Sequence, residues 1–273
     1  MGTLFFNGSA LSNLALGAAA LMSFGAAQNA WAASDPKAYE IASKVERTYQ
    51  GYADETVDAV MTIKSGNGSK SSREFEMVTL EVVKGGDLRA VTFSAPTELD
   101  GFVSLSHTRF KTPDLQWVYL PEFDRVRRLS SRDKSGSFAG SEFSFEDIVR
   151  WELDRYDYEY VGPTKCKAKA GCEVLVNIPR YPHSGYARLV EVIDMSILKP
   201  IQITYYDKNN RELKRLEMTG YKKVGNGQMR PMNARMTNLR TGAVTDIKWS
   251  NYRFGKGFNQ TNFKDTRIRD WAK

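Results

Sequence analysis

Apolar and polar residues alternate with a period of two along most of the chain. In 56–64, Val57, Ala59, Met61 and Ile63 share one face, and Asp58, Thr62 and Lys64 share the other. That is the pattern of a half-buried strand. The same alternation predicts strands over 73–84 and 88–94, joined at Gly85-Gly86-Asp87, and over 102–110 after Asp100-Gly101. Lys199-Pro200 leads into a strand over 201–206, and Asp207-Lys208-Asn209-Asn210 turns the chain into 213–221. Gly225-Asn226-Gly227 turns it again, and Thr241-Gly242 makes a last hairpin into 243–254. The pattern amounts to about ten or eleven strands, mostly joined by tight turns. An antiparallel, meandering sheet follows.

Helical period is strong in one place. Asp35 can cap a helix that Pro36 opens, and Ala38, Ile41, Ala42, Val45 and Tyr49 then share a face until Gly51. A shorter helix is expected near 143–151. A sheet with one apolar face has to bury it. Curled around two helices, it keeps a hollow that they fill only in part. The expected fold class is therefore mainly β with few helices (α+β), built on a single curved antiparallel sheet. Val57, Met61, Ile63, Phe75, Met77, Trp117 and Tyr119 are the candidate cavity residues. Ordinary core packing would also account for them.

The stretch 116–150 stands apart from this regularity. An apolar run, Trp117-Val118-Tyr119-Leu120, breaks at Pro121, and Arg125, Arg127 and Arg128 follow. A Ser/Gly-rich segment over 130–141 then leads to Phe143-Ser144-Phe145-Glu146-Asp147. It reads as a strand hairpin feeding a flap, with Phe138, Gly140, Phe143 and Phe145 as its candidate lid residues. The aromatics either swing aside for a ligand or anchor the loop for good. Glu146 and Asp147, adjacent acids at a helix start, fit dipole complementation.

No charged residue precedes Asp35, and the run 14–27 is small and apolar, followed by Ala30-Trp31-Ala32. Residues 1–32 read as a signal peptide cleaved near Ala32, and 33–273 as one exported domain. The apolar core is shorter than the roughly 20 residues of a membrane span. The leading residues depart from the usual pattern in lacking Lys and Arg. All of the formal charge of +7 lies beyond this segment. It suits an anionic membrane surface or an acidic partner, or simply solvates the outer face of the sheet.

Cys166 and Cys172 are the only cysteines. In an exported chain, at hairpin spacing, they predict a disulfide contributing about 2 kcal/mol. A metal site would need further ligands, and the chain offers only His107 and His183 besides carboxylates. The sequence has no nucleophile elbow, phosphate-binding glycine loop or dinucleotide fingerprint. The expectation is a non-enzymatic protein with no cofactor, metal or nucleic-acid partner.

An ordered set of residues resembles the outer-membrane lipoprotein-sorting, LolA-like proteins, in the branch associated with RND (MMPL-like) exporters. The set runs Trp117, Leu120-Pro121, Arg125, Arg127-Arg128, Ser137-Phe138, Gly140, Phe143-Ser144 and Glu146-Asp147. It continues through Cys172-Glu173-Val174-Leu175, Tyr206-Asp207-Lys208 with Leu213-Lys214, and Met236-Thr237-Asn238-Leu239 with Thr241-Gly242 and Thr245. Ala139, Ser141-Glu142 and Asn210 depart mildly from the family pattern. The resemblance implies an incomplete β-barrel capped by helices, with a hydrophobic cavity for acyl chains. It implies a monomeric shuttle for a lipid or lipoprotein between inner and outer membranes. An inner-membrane RND/MMPL-like exporter and an outer-membrane acceptor are the partners it suggests. An envelope sensor that regulates a membrane partner is the alternative, and a hydrolase a more distant one.

Overall fold

The computed structural model describes residues 34–272 apart from 84, 110, 111 and 131. The predicted signal peptide lies outside the described residues. So do Lys84 and Phe110, at the ends of two predicted strands, and Ser131 of the flap.

The chain enters through α1 (Pro36–Arg47), then β1 (Asp54–Lys64), β2 (Lys70–Leu80), β3 (Leu88–Ala95), β4 (Val103–His107), β5 (Leu115–Leu120) and β6 (Arg125–Arg128). After α2 (Phe145–Ile148) come β7 (Tyr156–Thr164), β8 (Cys172–Pro179), β9 (Arg188–Asp194), β10 (Lys199–Tyr206) and β11 (Glu212–Thr219). Two-residue strands β12 (Lys222–Lys223) and β13 (Met229–Arg230) precede β14 (Asn233–Asn238) and β15 (Val244–Phe254). Thirteen strands form one sheet in the order β6-β5-β4-β3-β2-β1-β15-β14-β11-β10-β9-β8-β7, while β12 and β13 pair by themselves. Every pairing in the large sheet is antiparallel. With β6 and β7 as its two edges, the sheet is open: an incomplete barrel, as expected. The strand count exceeds the expected ten or eleven for two physical reasons. β12 and β13 are too short to show a period, and a register shift between Tyr160 and Gly162 breaks the alternation in β7.

The helix at 36–47 forms for the predicted reason. The Asp35 carboxylate accepts from the backbone N–H of Lys37 at 2.8 Å and Ala38 at 3.0 Å. Ala38, Ile41, Ala42 and Val45 are buried, and the helix packs against β7. α2 is only four residues long, shorter than the predicted 143–151. Ser144 and Asp147 make a capping box at its start. It stops because Val149 is extended, and the Arg89 side chain takes the Ile148 carbonyl.

The apolar residues divide between the two faces of the sheet. The concave face holds Met61, Phe75, Phe93 and Phe138 with the buried stripe of α1. The opposite face carries Val78, Leu80, Leu105 and Trp117, covered by Phe263 and Ile268 of the C-terminal segment. Cys166 and Cys172 form the expected disulfide, with Cα atoms 6.0 Å apart, closing the β7–β8 loop. Gly86, at φ +87°, admits no side chain, because a Cβ there would lie 2.5 Å from the Thr108 carbonyl oxygen. That turn leads into Asp87, which is buried.

Candidate functional site

The concave face retains a cavity of about 280 Å³ between the sheet, the end of α1 and the segment 146–151. This is near the lower limit of the roughly 300–1,000 Å³ usual for small-molecule sites. Its apolar wall includes Val57, Met77, Leu189, Ile203, Leu216 and Trp249. Register explains part of that wall. Val57 pairs with Met77 and Met77 with Val91, one rung along from Glu55, Thr79 and Arg89.

One side of the cavity is rich in cations. Arg230 Nε lies 2.6 Å from Glu55 Oε2, and both side chains are largely buried. Arg150 Nη1 is 3.3 Å from Asp87 Oδ2, and Arg150 Nη2 donates to the Tyr49 carbonyl at 3.1 Å. Tyr52 joins them, donating its hydroxyl to Asp87 Oδ2 at 2.6 Å. Behind this group, Lys199 is completely buried, and its ammonium donates to the Thr48 carbonyl at 3.1 Å and hydroxyl at 2.7 Å. Those partners lie at the C-terminal end of α1, where the helix dipole favours a positive charge. Burial, and then Arg230 and Arg150 nearby, lower the Lys199 pKa to about 6.

The other side is acidic and fully engaged. Asp147 receives Lys214 Nζ at 2.6 Å, the Tyr186 hydroxyl at 2.7 Å and the Ser144 N–H at 2.7 Å. Glu146 receives the Tyr181 hydroxyl at 2.7 Å, Ser184 Oγ at 2.5 Å and the Gly185 N–H at 2.7 Å. Burial pushes the Glu146 pKa up, although these hydrogen bonds oppose it. Along β10, Ile203 and Tyr205 lead from the basic side to the acidic one, where Tyr205 pairs with Lys214. Glu191 lies opposite Ile203. It accepts from Asn177 Nδ2 at 2.9 Å, and burial raises its pKa to about 7. Apolar walls between polar ends make a container for an amphiphile rather than for a purely apolar molecule.

The expected cavity residues separate into three groups. Val57 and Met77 border the cavity. Met61, Ile63 and Phe75 share the concave face but sit in close-packed core. Trp117 and Tyr119 do not belong to the cavity, which corrects the expectation. β5 presents them to the opposite face, where Trp117 packs on His107 with ring centroids 4.9 Å apart. The Tyr119 hydroxyl donates to Asp124 at 3.1 Å. Their parity relative to β2 could be read only once the pairing of β4 with β5 was known.

The flap residues are also placed differently from the cavity wall. Phe138 is completely buried, 5.5 Å from Phe93 and 5.4 Å from Phe145 between ring centroids. Phe143 is buried and Phe145 half-buried, while Gly140 takes the positive φ of the turn. The turn is tied by Phe138 N–H to the Phe143 carbonyl at 2.7 Å and by Ser137 Oγ to the Ser141 carbonyl at 2.6 Å. What reaches the cavity from this stretch is Glu146, Asp147, Val149, Arg150 and Trp151. Glu146 and Asp147 thus do more than complement a helix dipole.

Sequence reasoning missed Glu55, Arg89, Arg150, Arg230 and Glu191. Strand parity could have found two of them. Glu55 continues the face of Val57 and Ala59, and Arg89 continues that of Val91 and Phe93. His107, named above as a possible metal ligand, donates its Nε2–H to the Phe263 carbonyl at 2.6 Å on the far face.

Comparison with known proteins matches this geometry. A family model described only as "uncharacterized protein" matches residues 85–270. A search of curated proteins finds no significant match. The structure is similar to a domain from Vibrio parahaemolyticus described as an outer membrane lipoprotein-sorting protein. Identity is 32%, the TM-score is 0.82, and 85% of this chain and 98% of the other are covered. A DUF1329 family protein from Desulfovibrio piger is 28% identical over the same shares of both chains, with a TM-score of 0.80. A LolA superfamily protein from Nitrosomonas europaea shares the fold at 18% identity and a TM-score of 0.68, covering 83% of this chain and 97% of the other. The chain belongs to the outer-membrane lipoprotein-sorting, LolA-like family.

Proposed function

We propose that this protein is a periplasmic carrier that takes the acyl chain of a lipid or lipoprotein into the concave-face cavity. It would then shuttle that cargo between inner and outer membranes. The observation that carries this reading is the cavity itself: an apolar wall around Val57, Met77, Ile203 and Leu216, left unfilled beneath an open sheet. Burying an acyl chain recovers about 0.8 kcal/mol per methylene. A small wall of this kind holds a chain while leaving release feasible. The similarity to a lipoprotein-sorting domain supports the same cargo class. An inner-membrane exporter of the RND type is the donor partner we infer, and an outer-membrane component the acceptor.

The test is to purify the exported protein without detergent, extract it with organic solvent and look for co-purifying lipid by mass spectrometry. Binding of a fluorescent acyl probe is measured alongside. We expect stoichiometric lipid and saturable probe binding. Absence of both overturns the carrier reading.

A further inference from the structure

The basic side of the cavity has unmet demand for an acceptor, and the acidic side does not. Arg150 and Arg230 lie 5.2 and 5.5 Å from the centroid of the Tyr49 ring, and Lys199 Nζ lies 3.2 Å from it. Arg89 borders the same space. Two carboxylates, Glu55 and Asp87, make ion pairs with this group. The third acid nearby, Glu152, is pushed up to about 7 by burial and by Asp87, so it carries only part of a negative charge at neutral pH. Lys199, lowered to about 6, is largely neutral as well, so Arg89, Arg150 and Arg230 face two full carboxylates and positive charge is in slight excess.

Hydrogen bonding gives the same answer independently. Arg230 is only 5% exposed, and its Nη2 has no partner. Trp151 Nε1, on the lining of the same cavity, is buried and also has no partner. Buried donors without acceptors are rare in folded proteins. Two that border one cavity, next to surplus cations, define a place for an anion.

We propose that this side of the cavity binds the anionic headgroup, a carboxylate or phosphate, of an acyl-chain amphiphile. Arg230 Nη2 and Trp151 Nε1 donate to it, and its chain lies along Val57, Met77 and Ile203. The proposal rests on the carrier reading and specifies its cargo.

Displacement of a fluorescent acyl probe from the intact exported protein tests it. The competitors are palmitate, palmitoyl lysophosphatidic acid, palmityl alcohol and inorganic phosphate. We expect the two anionic lipids to displace the probe at concentrations roughly 10- to 100-fold below the alcohol, the range of one or two charge-assisted hydrogen bonds. Arg230→Gln should bring that ratio close to one. The double variant Glu55→Gln/Arg230→Gln should do the same, which excludes an effect of an unpaired Glu55. Trp151→Phe, which keeps the charges, should reduce the ratio in part.

An equal affinity for acid and alcohol in the wild type overturns the headgroup assignment and leaves the carrier reading standing. That result is also expected if ordered water serves the two donors. A preference that persists in all three variants likewise overturns it. Inorganic phosphate competing as well as the phospholipid would replace the amphiphile with a free anion. Failure of every acyl compound to bind saturably would remove both proposals together.

Discussion

Val57 and Met61 stand four residues apart on one face of β1, and only Val57 borders the cavity. Met61 is completely buried in the cluster with Phe75, Phe93 and Phe138. The difference comes from what the rest of the chain brings to each half of the concave face. Over Met61's half the flap brings Phe138, continuing an aromatic series in which Phe75 and Phe93 lie 5.2 Å apart and Phe93 and Phe138 5.5 Å. Rings of this kind pack densely and exclude space. Over Val57's half the chain brings Glu55, Arg89, Arg150, Arg230 and six tyrosines. Each polar group there needs a partner in a set direction, and directed partners leave gaps that methylenes would close. One strand face is thus core where its cover is apolar and site where its cover is polar.

Phe138→Ala should break this contrast most severely. Removing a wholly buried ring from the packed half is expected to cost about 3–5 kcal/mol, read from urea denaturation. Headgroup preference in the other half should survive in whatever fraction remains folded. The same variant decides between an anchored and a moving flap. If it costs less than about 1 kcal/mol and acyl binding tightens, Phe138 is a gate that occupies the ligand's place.

A change in the open half should act the other way. Met77 is half-buried at the cavity wall, so Met77→Trp fills space that is already empty. We expect a stability cost no larger than the roughly 1–3 kcal/mol of overpacking, with acyl-probe affinity reduced by at least about tenfold. Unchanged affinity in a folded variant would place the chain somewhere other than against β2.

Much of this was legible before the fold was known, because the relevant signals are local. Period-two alternation gave the meandering sheet, Asp35-Pro36 gave α1, and hairpin spacing gave the Cys166–Cys172 bridge. The site was legible only in half. Val57 and Met77 follow from parity within one strand, and so could Glu55 and Arg89 have done. Arg230 lies in a strand of two residues and Arg150 in irregular chain, so neither has a period to betray it. Trp117 looked like a cavity residue because alternation shows that a face is apolar without showing which face. That choice is made by the C-terminal segment carrying Phe263 and Ile268, more than 140 residues away in the chain.

At Glu191, in the open half, the contrast becomes a matter of pH. Its folded pKa of about 7 lies above the ordinary value of 4.5 because burial disfavours the charged form. Between pH 4.5 and 7 the native state therefore holds a proton that the unfolded chain has released. Stability falls as pH rises through this window, by at most about 1.4 kcal/mol per pH unit, and is level above it. Glu152 titrates in the same direction, and Lys199, lowered to about 6, acts oppositely at higher pH. Comparing Glu191→Gln with the wild type cancels both. Glutamine is neutral throughout and can still accept from Asn177 Nδ2, so the two proteins should melt together near pH 5. Near pH 8 the variant should melt several degrees higher. Parallel melting profiles would mean that Glu191 is ionised in the native state, and hence that the middle of the cavity is wet. A wet middle would leave the apolar wall too short to hold an acyl chain, which makes this small shift a direct check on the half of the face assigned to binding.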